Sequence, residues 1–152
     1  MGKIIAVIGA GSCDQHIYRL AETAGRELAG RGYTVICGGL GGVMEAVCKG
    51  ARSAGGTTIG ILPGETIESA NSYVDIPVAT GMGIGRNIII IRSAAAVLAI
   101  DGAYGTLSEI AFALQLNKPV VGLETWDVSA DIIHTRNISD AVNEIANIVD
   151  KT

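Results

Sequence analysis

The stretch Ala94-Ala-Ala-Val-Leu-Ala-Ile100, followed by Asp101-Gly-Ala-Tyr-Gly-Thr-Leu-Ser-Glu109, decides how the whole chain is read. The first part is an unbroken apolar run, short enough for a strand buried on both faces of a parallel sheet. After the glycine turn, Leu107, Ile110, Ala111 and Leu114 recur at helical spacing, running to Asn117 and stopped by Pro119. A strand that enters a glycine turn and opens a helix gathers free backbone N–H groups and the positive end of the helix dipole at one spot. That spot holds a phosphate or another anion. Thr106-x-x-Glu109 also has capping-box spacing, in which both side chains simply tie off the helix start. Both readings stand at this point.

The same strand–turn–helix unit recurs on either side. Lys3 to Gly9 reads as a first buried strand, and Asp14 caps a helix whose apolar face is Ile17, Leu20, Ala21, Ala24 and Leu28, ended by Gly30 and Gly32. Tyr33 to Cys37 is the next strand. Gly38-Gly-Leu-Gly-Gly42 then opens a helix over 43–53 with Met44, Val47 and Ala51 inward. Thr57 to Leu62 is a third strand and Glu65 to Tyr73 is irregular. Val74 to Ala79 is a short fourth strand whose Pro77 makes it a near-edge or irregular one. Thr80 to Gly85 is another glycine-rich turn, followed by Arg86-Asn-Ile-Ile-Ile-Ile-Arg92-Ser93. These isoleucines read as helix, because a strand there would run into the strand at 94–100 without a connection. Four consecutive isoleucines cover every side of a helix, so one face meets the sheet and another a partner subunit. Pro119 to Leu123 is a further strand, and Glu124 to Arg136 a loop or short edge segment. Ser139 caps a last helix with Ala141, Val142, Ile145, Ile148 and Val149 inward.

This alternation predicts an α/β fold: one Rossmann-like domain over residues 1–152, a doubly wound parallel sheet of about six to seven strands with helices on both faces. Ligands of such sheets bind at the carboxyl ends of the strands. The candidate ligand-binding residues are therefore Gly9, Gly11 and Ser12, then Gly38, Gly39, Gly41 and Gly42, then Gly102, Tyr104, Gly105 and Thr106. Gly9-Ala-Gly11 begins like a dinucleotide fingerprint, but Asp14 occupies the third glycine position and no acidic residue ends the second strand. NAD is not expected. No P-loop sequence is present, so P-loop ATP and GTP chemistry is not expected either.

Composition narrows the function classes. A net charge of −4 and a pI near 5.1 argue against a nucleic-acid surface. The mean hydropathy of +0.42 is high, yet no apolar run approaches the ~20 residues of a membrane span. Extra burial in a homo-oligomer accounts for it. The N-terminus passes directly into a strand, with neither a signal peptide nor a myristoylation pattern, and Cys13, Cys37 and Cys48 read as reduced thiols of a cytoplasmic protein. Cys13-x-x-His16 is the only metal-like spacing and nothing nearby completes four ligands, so no metal site is expected.

Three stretches together resemble the LOG-like family, long mislabelled as lysine decarboxylases and related to the Rossmann-like SLOG and DprA proteins. The closer resemblance is to its short branch, which includes the molybdenum cofactor carrier proteins. The family motif Pro-Gly-Gly-x-Gly-Thr-x-x-Glu matches residues 101–109, with Gly102, Gly105, Thr106 and Glu109 kept, Asp101 in place of Pro and Ala103 in place of the second Gly. The arginine of the family's Met-His-Glu-Arg-Lys motif falls on Arg86, with Asn87 in place of Lys. Gly38-Gly-Leu-Gly-Gly-Val-Met-Glu-Ala resembles its first phosphate-side turn. The resemblance implies that the glycine turns and Thr106 hold a phosphate, and that Arg86 and Glu109 are catalytic in hydrolysing the N-glycosidic bond of a nucleoside 5′-monophosphate. A carboxylate there stabilises an oxocarbenium-like state and helps to activate water. No cofactor is required for that reaction. In the carrier branch the ligand is the molybdenum cofactor, a pterin carrying a phosphate, bound without turnover. The sequence places the phosphoribohydrolase slightly ahead of the carrier, in a homodimer or larger assembly built through the helix at 86–93.

Overall fold

The computed structural model describes residues 2–151. Seven strands form one sheet: β1 (Ile4–Ile8), β2 (Thr34–Cys37), β3 (Thr58–Leu62), β4 (Ile76–Ala79), β5 (Ala96–Ile100), β6 (Val120–Leu123) and β7 (Ile132–His134). Every pairing is parallel and the order is β4-β3-β2-β1-β5-β6-β7. The helices are α1 (Gln15–Gly30), α2 (Val43–Ser53), α3 (Asn87–Ser93), α4 (Tyr104–Gln115) and α5 (Ile138–Val149), with a 3₁₀ turn at Gly83–Arg86 leading into α3. The expected doubly wound Rossmann-like fold is present, and its strand order reverses between β1 and β5.

Alternation along the central strands divides the core in two. Ile5 and Val7 of β1 face α1, α2 and α5, whereas Ala6 and Ile8 face α3 and α4. The same division separates Leu98 and Ile100 from Val97 and Ala99 on β5. These strands are buried on both faces, which is why they read as continuous apolar runs. Pro77 lies on β4, at one edge of the sheet as expected. The segment 124–136 supplies β7 at the other edge.

Three local expectations are corrected. Asn137, not Ser139, caps α5, its side chain accepting the Asp140 N–H at 2.8 Å. On α4 the inward residues are Thr106, Glu109, Ile110 and Ala113, and Ala111 is exposed. The helix is rotated from the face its apolar residues define, because two polar side chains occupy the inward face. The capping box also fails: Ala103 is the N-cap residue, with no side-chain cap, and Thr106 and Glu109 lie inside the helix.

Helices α1 and α2 cross at two glycines. A Cβ on Gly50 would lie 1.8 Å from the Glu22 carbonyl oxygen, and one on Gly25 would lie 2.0 Å from that of Val47. Both obstacles are backbone, so neither side can yield without separating the helices. Gly50→Ala is expected to destabilise the fold by about 3 kcal/mol despite alanine's better helix propensity; denaturant unfolding would measure it.

Candidate functional site

The carboxyl ends of β1, β2 and β5 surround a cleft of about 230 Å³. This is the crevice beside the point where the strand order reverses, where ligands of open α/β sheets bind. Val7 and Ile8 form its floor, Leu40, Met44 and Ile84 its apolar wall, and Ala103, Gly105 and Thr106 its opposite side. Arg86, Asn87 and Glu109 complete it.

The helix starts differ in how they are capped. Asp14 caps α1 by accepting the Ile17 N–H at 2.9 Å, and Asn137 caps α5. Gly42 and Ala103 supply no such bond at the starts of α2 and α4. At α2 the Val43 N–H donates instead to the Ala10 carbonyl, 3.0 Å away. The first-turn amides of α4 have no intrahelical acceptor by geometry, and no side chain supplies one.

The candidate glycines divide by what surrounds them. Cβ atoms on Gly9, Gly38, Gly39, Gly41, Gly42 and Gly102 would each meet protein at 2.9 Å or closer, and Gly39, Gly42 and Gly102 also hold positive φ, so packing and backbone conformation account for them, although Gly9 and Gly38 line the cleft too. In particular, Gly41 and Gly42 press the β2–α2 turn against the backbone of Gly11 and Ala10. Gly105 and Gly11 differ. Both line the cleft; a Cβ on Gly105 would meet nothing within 4 Å, and one on Gly11 only the Met44 methyl, at 3.6 Å. Ser12 is exposed beside Gly11. Tyr104 points away, 81% exposed and stacked on Trp126, whose indole N–H donates to the Ala103 carbonyl.

Arg86 and Glu109 come together, both buried and both lining the cleft. The Arg86 guanidinium is held by three acceptors: Nε donates to the Ile61 carbonyl at 2.8 Å, Nη1 to Asn87 Oδ1 at 2.5 Å and Nη2 to the Gly38 carbonyl at 3.4 Å. Asn87 Nδ2 in turn donates to Ser108 Oγ on α4. Among the described residues, no direct ion pair or hydrogen bond reaches the Glu109 carboxyl. Burial pushes Glu109 up to about 8, and the positive charge of Arg86 offsets only part of that cost. Burial likewise lowers the Arg86 value, opposed by Glu109 and then Cys37.

Asp101 carries φ 55°, a backbone conformation closed to proline, whose ring fixes φ near about −65°. The β5–α4 turn therefore departs from a Pro-Gly-Gly geometry at its first residue. Asp101 also lines a separate groove with Glu124 and Trp126 instead of the cleft. Sequence reasoning missed Leu40, Met44 and Ile84, which are indistinguishable from core residues in one dimension. It also passed over Asn87, whose signal was a polar residue joined to Arg86 ahead of four isoleucines.

The parallel order, the crevice at its reversal and the uncapped helix start define a Rossmann-like protein with a ligand cleft at its strand ends. The sequence model of the SLOG cluster4 family matches residues 2–150, and the chain belongs to that family. The molybdenum cofactor binding protein of the phototrophic bacterium Rippkaea orientalis has the same fold at a TM-score of 0.93, with 32% identity over 98% of each chain. The Moco carrier protein of Chlamydomonas reinhardtii matches at a TM-score of 0.91, with 32% identity over 100% of both chains. The cytokinin riboside 5′-monophosphate phosphoribohydrolase of Mycobacterium tuberculosis is 32% identical over 120 residues, which are 72% of this chain and 64% of that enzyme. The similarity to LOG-like proteins is thereby confirmed from two directions.

Proposed function

We propose that this protein binds the phosphate of a small phosphorylated ligand at the start of α4, and that the ligand is the molybdenum cofactor, held without turnover. The observation that carries the reading is Gly105. A glycine in a helix costs roughly 0.5–1 kcal/mol relative to alanine, and the surroundings of Gly105 leave room for a Cβ. A ligand that must come against the backbone explains its place. The uncapped amides beside it supply donors, and the helix dipole favours negative charge. Leu40, Met44 and Ile84 offer a planar ring an apolar wall. End-to-end likeness to two molybdenum cofactor proteins supports the pterin as the ring.

A second reading, hydrolysis of a nucleoside 5′-monophosphate, is favoured by Arg86 and Glu109 lining one cleft and by the mycobacterial relative. Binding stands ahead of it on two grounds. A carboxyl that burial keeps protonated at neutral pH is not in the ionised form that stabilises an oxocarbenium-like state. Much of the Arg86 donor capacity is also spent on two carbonyls and Asn87.

The protein acts as a homo-oligomer through the helix at 86–93. Ile84 is 85% exposed and Met82 49%, beside half-buried Ile88 and Ile89 and exposed Phe112, a grouping that suits a second copy. No described helix is long and apolar enough to cross a membrane. Three free thiols suit the reducing cytoplasm.

Two measurements on one preparation separate the readings. Mass spectrometry of the denatured protein, purified from a molybdenum-replete host, is expected to show a copurified phosphorylated pterin. Incubation with a panel of nucleoside 5′-monophosphates is expected to release no free base. Release of base that disappears in Glu109→Gln would replace the carrier with the hydrolase.

A further inference from the structure

Glu109 poses a problem for any anion entering this cleft. Glu109 is 8% exposed and lines the cleft, and its carboxyl, which keeps access to the cleft, lacks a hydrogen-bond or ion-pair partner among the described residues. It sits one helical turn after Gly105, about 5–6 Å away along the helix surface. The charged or titratable groups that face it are Arg86, on the turn leading into α3, and Cys37, at the end of β2. From β1 the cleft receives Val7 and Ile8 and from α2 Met44, none of which ionises.

The charge balance is unfavourable when Glu109 is ionised. A phosphomonoester brings two negative charges above its second pKa of about 6, and Arg86 supplies one positive charge. An ionised Glu109 would add a third negative charge at short range in a poorly screened site. In the protonated form it adds none and gains the ability to donate a hydrogen bond.

Building on the phosphate-binding reading, we propose that ligand capture in this cleft is proton-linked: the phosphate is held while Glu109 carries its proton and is released as that proton leaves. Burial of the carboxyl places the transition near pH 8, within reach of a modest alkaline shift.

Calorimetric titration with adenosine 5′-monophosphate from about pH 7.5 to about pH 9.5 tests this, because the probe's own phosphate is fully ionised throughout. Wild-type affinity is expected to fall by up to tenfold per pH unit above the Glu109 transition. Repeating the titration above that transition in buffers of different ionisation enthalpy is expected to register uptake of one proton per ligand bound. In Glu109→Gln, whatever its absolute affinity, the curve is expected to be flat. A wild-type affinity that does not change with pH overturns the proposal, as does a decline that persists in Glu109→Gln and vanishes in Cys37→Ala. If neither this probe nor a phosphorylated pterin binds at any pH, the phosphate-binding reading itself has failed.

Discussion

Glu109→Gln is expected to yield a protein more stable than the wild type, by on the order of 3–5 kcal/mol above about pH 8. The cause is a buried carboxyl whose charge Arg86 compensates only in part. Its folded value of about 8 lies far above the ordinary 4.5, so the native state keeps a proton that the unfolded chain has lost. Between those two values unfolding releases the proton, and wild-type stability declines as pH rises. Below about 4.5 both states are protonated and the two proteins should be nearly equal. The advantage of glutamine, which never ionises, should grow across this window and level off above pH 8. For a chain of this length the gain corresponds to roughly 10 °C in Tm, and thermal unfolding from pH 4 to 9 would measure it. A pH-independent difference would show that Glu109 is fully compensated after all. Such a buried, unpaired acid is a stability cost of the kind retained at functional sites.

The second large effect concerns Gly105. Gly105→Ala should leave the fold intact or raise its stability by up to about 1 kcal/mol, since the residue is helical and a Cβ would enter open space. The same methyl group would stand where the phosphate approaches. Affinity for phosphorylated ligands should fall on the order of 10- to 100-fold, the worth of one or two charge-assisted hydrogen bonds. Calorimetry beside thermal unfolding separates the two outcomes. Equal ligand affinity in a well-folded Gly105→Ala protein would remove the main support for the binding site. Gly50→Ala, at the α1–α2 crossing, should show the opposite pattern of damaged stability.

The fold was largely legible in the sequence because its signals are local and redundant. The apolar runs of β1 and β5, the Asp14 cap and the Pro77 edge each point one way, and the structure agrees with all of them. The helical reading of the isoleucines held because the topology left no room for a strand: Ile90 and Ile91 are fully buried, Ile88 and Ile89 only half. The errors have a physical pattern. The inward face of α4 was misplaced because Thr106 and Glu109 occupy positions where periodicity expects apolar residues. In a helix, binary pattern is a guide to packing, and it gives way where a polar group is carried inward to a cleft. Asn137 and Ser139 are both good cap residues two positions apart, and only geometry chooses between them.

The site was legible in outline and not in its division of labour. The glycine turns stood out by their spacing, and the family resemblance brought out Arg86 and Glu109. Spacing could not separate glycines that let backbones touch, such as Gly42 against Ala10, from one beside empty space at Gly105. Nor could it show that Arg86 is held by Ile61 and Gly38, because those carbonyls belong to turns far away in sequence.

The most direct test is a crystal structure of the protein with a bound phosphorylated ligand, either copurified or soaked as a nucleoside monophosphate. The account predicts phosphate oxygens within about 3 Å of the Gly105 and Thr106 amides, with the ring against Met44 and Ile84 and Glu109 in the same cleft. A phosphate held elsewhere, at the start of α2 or in the groove beside Trp126, with no ligand at α4, would contradict it.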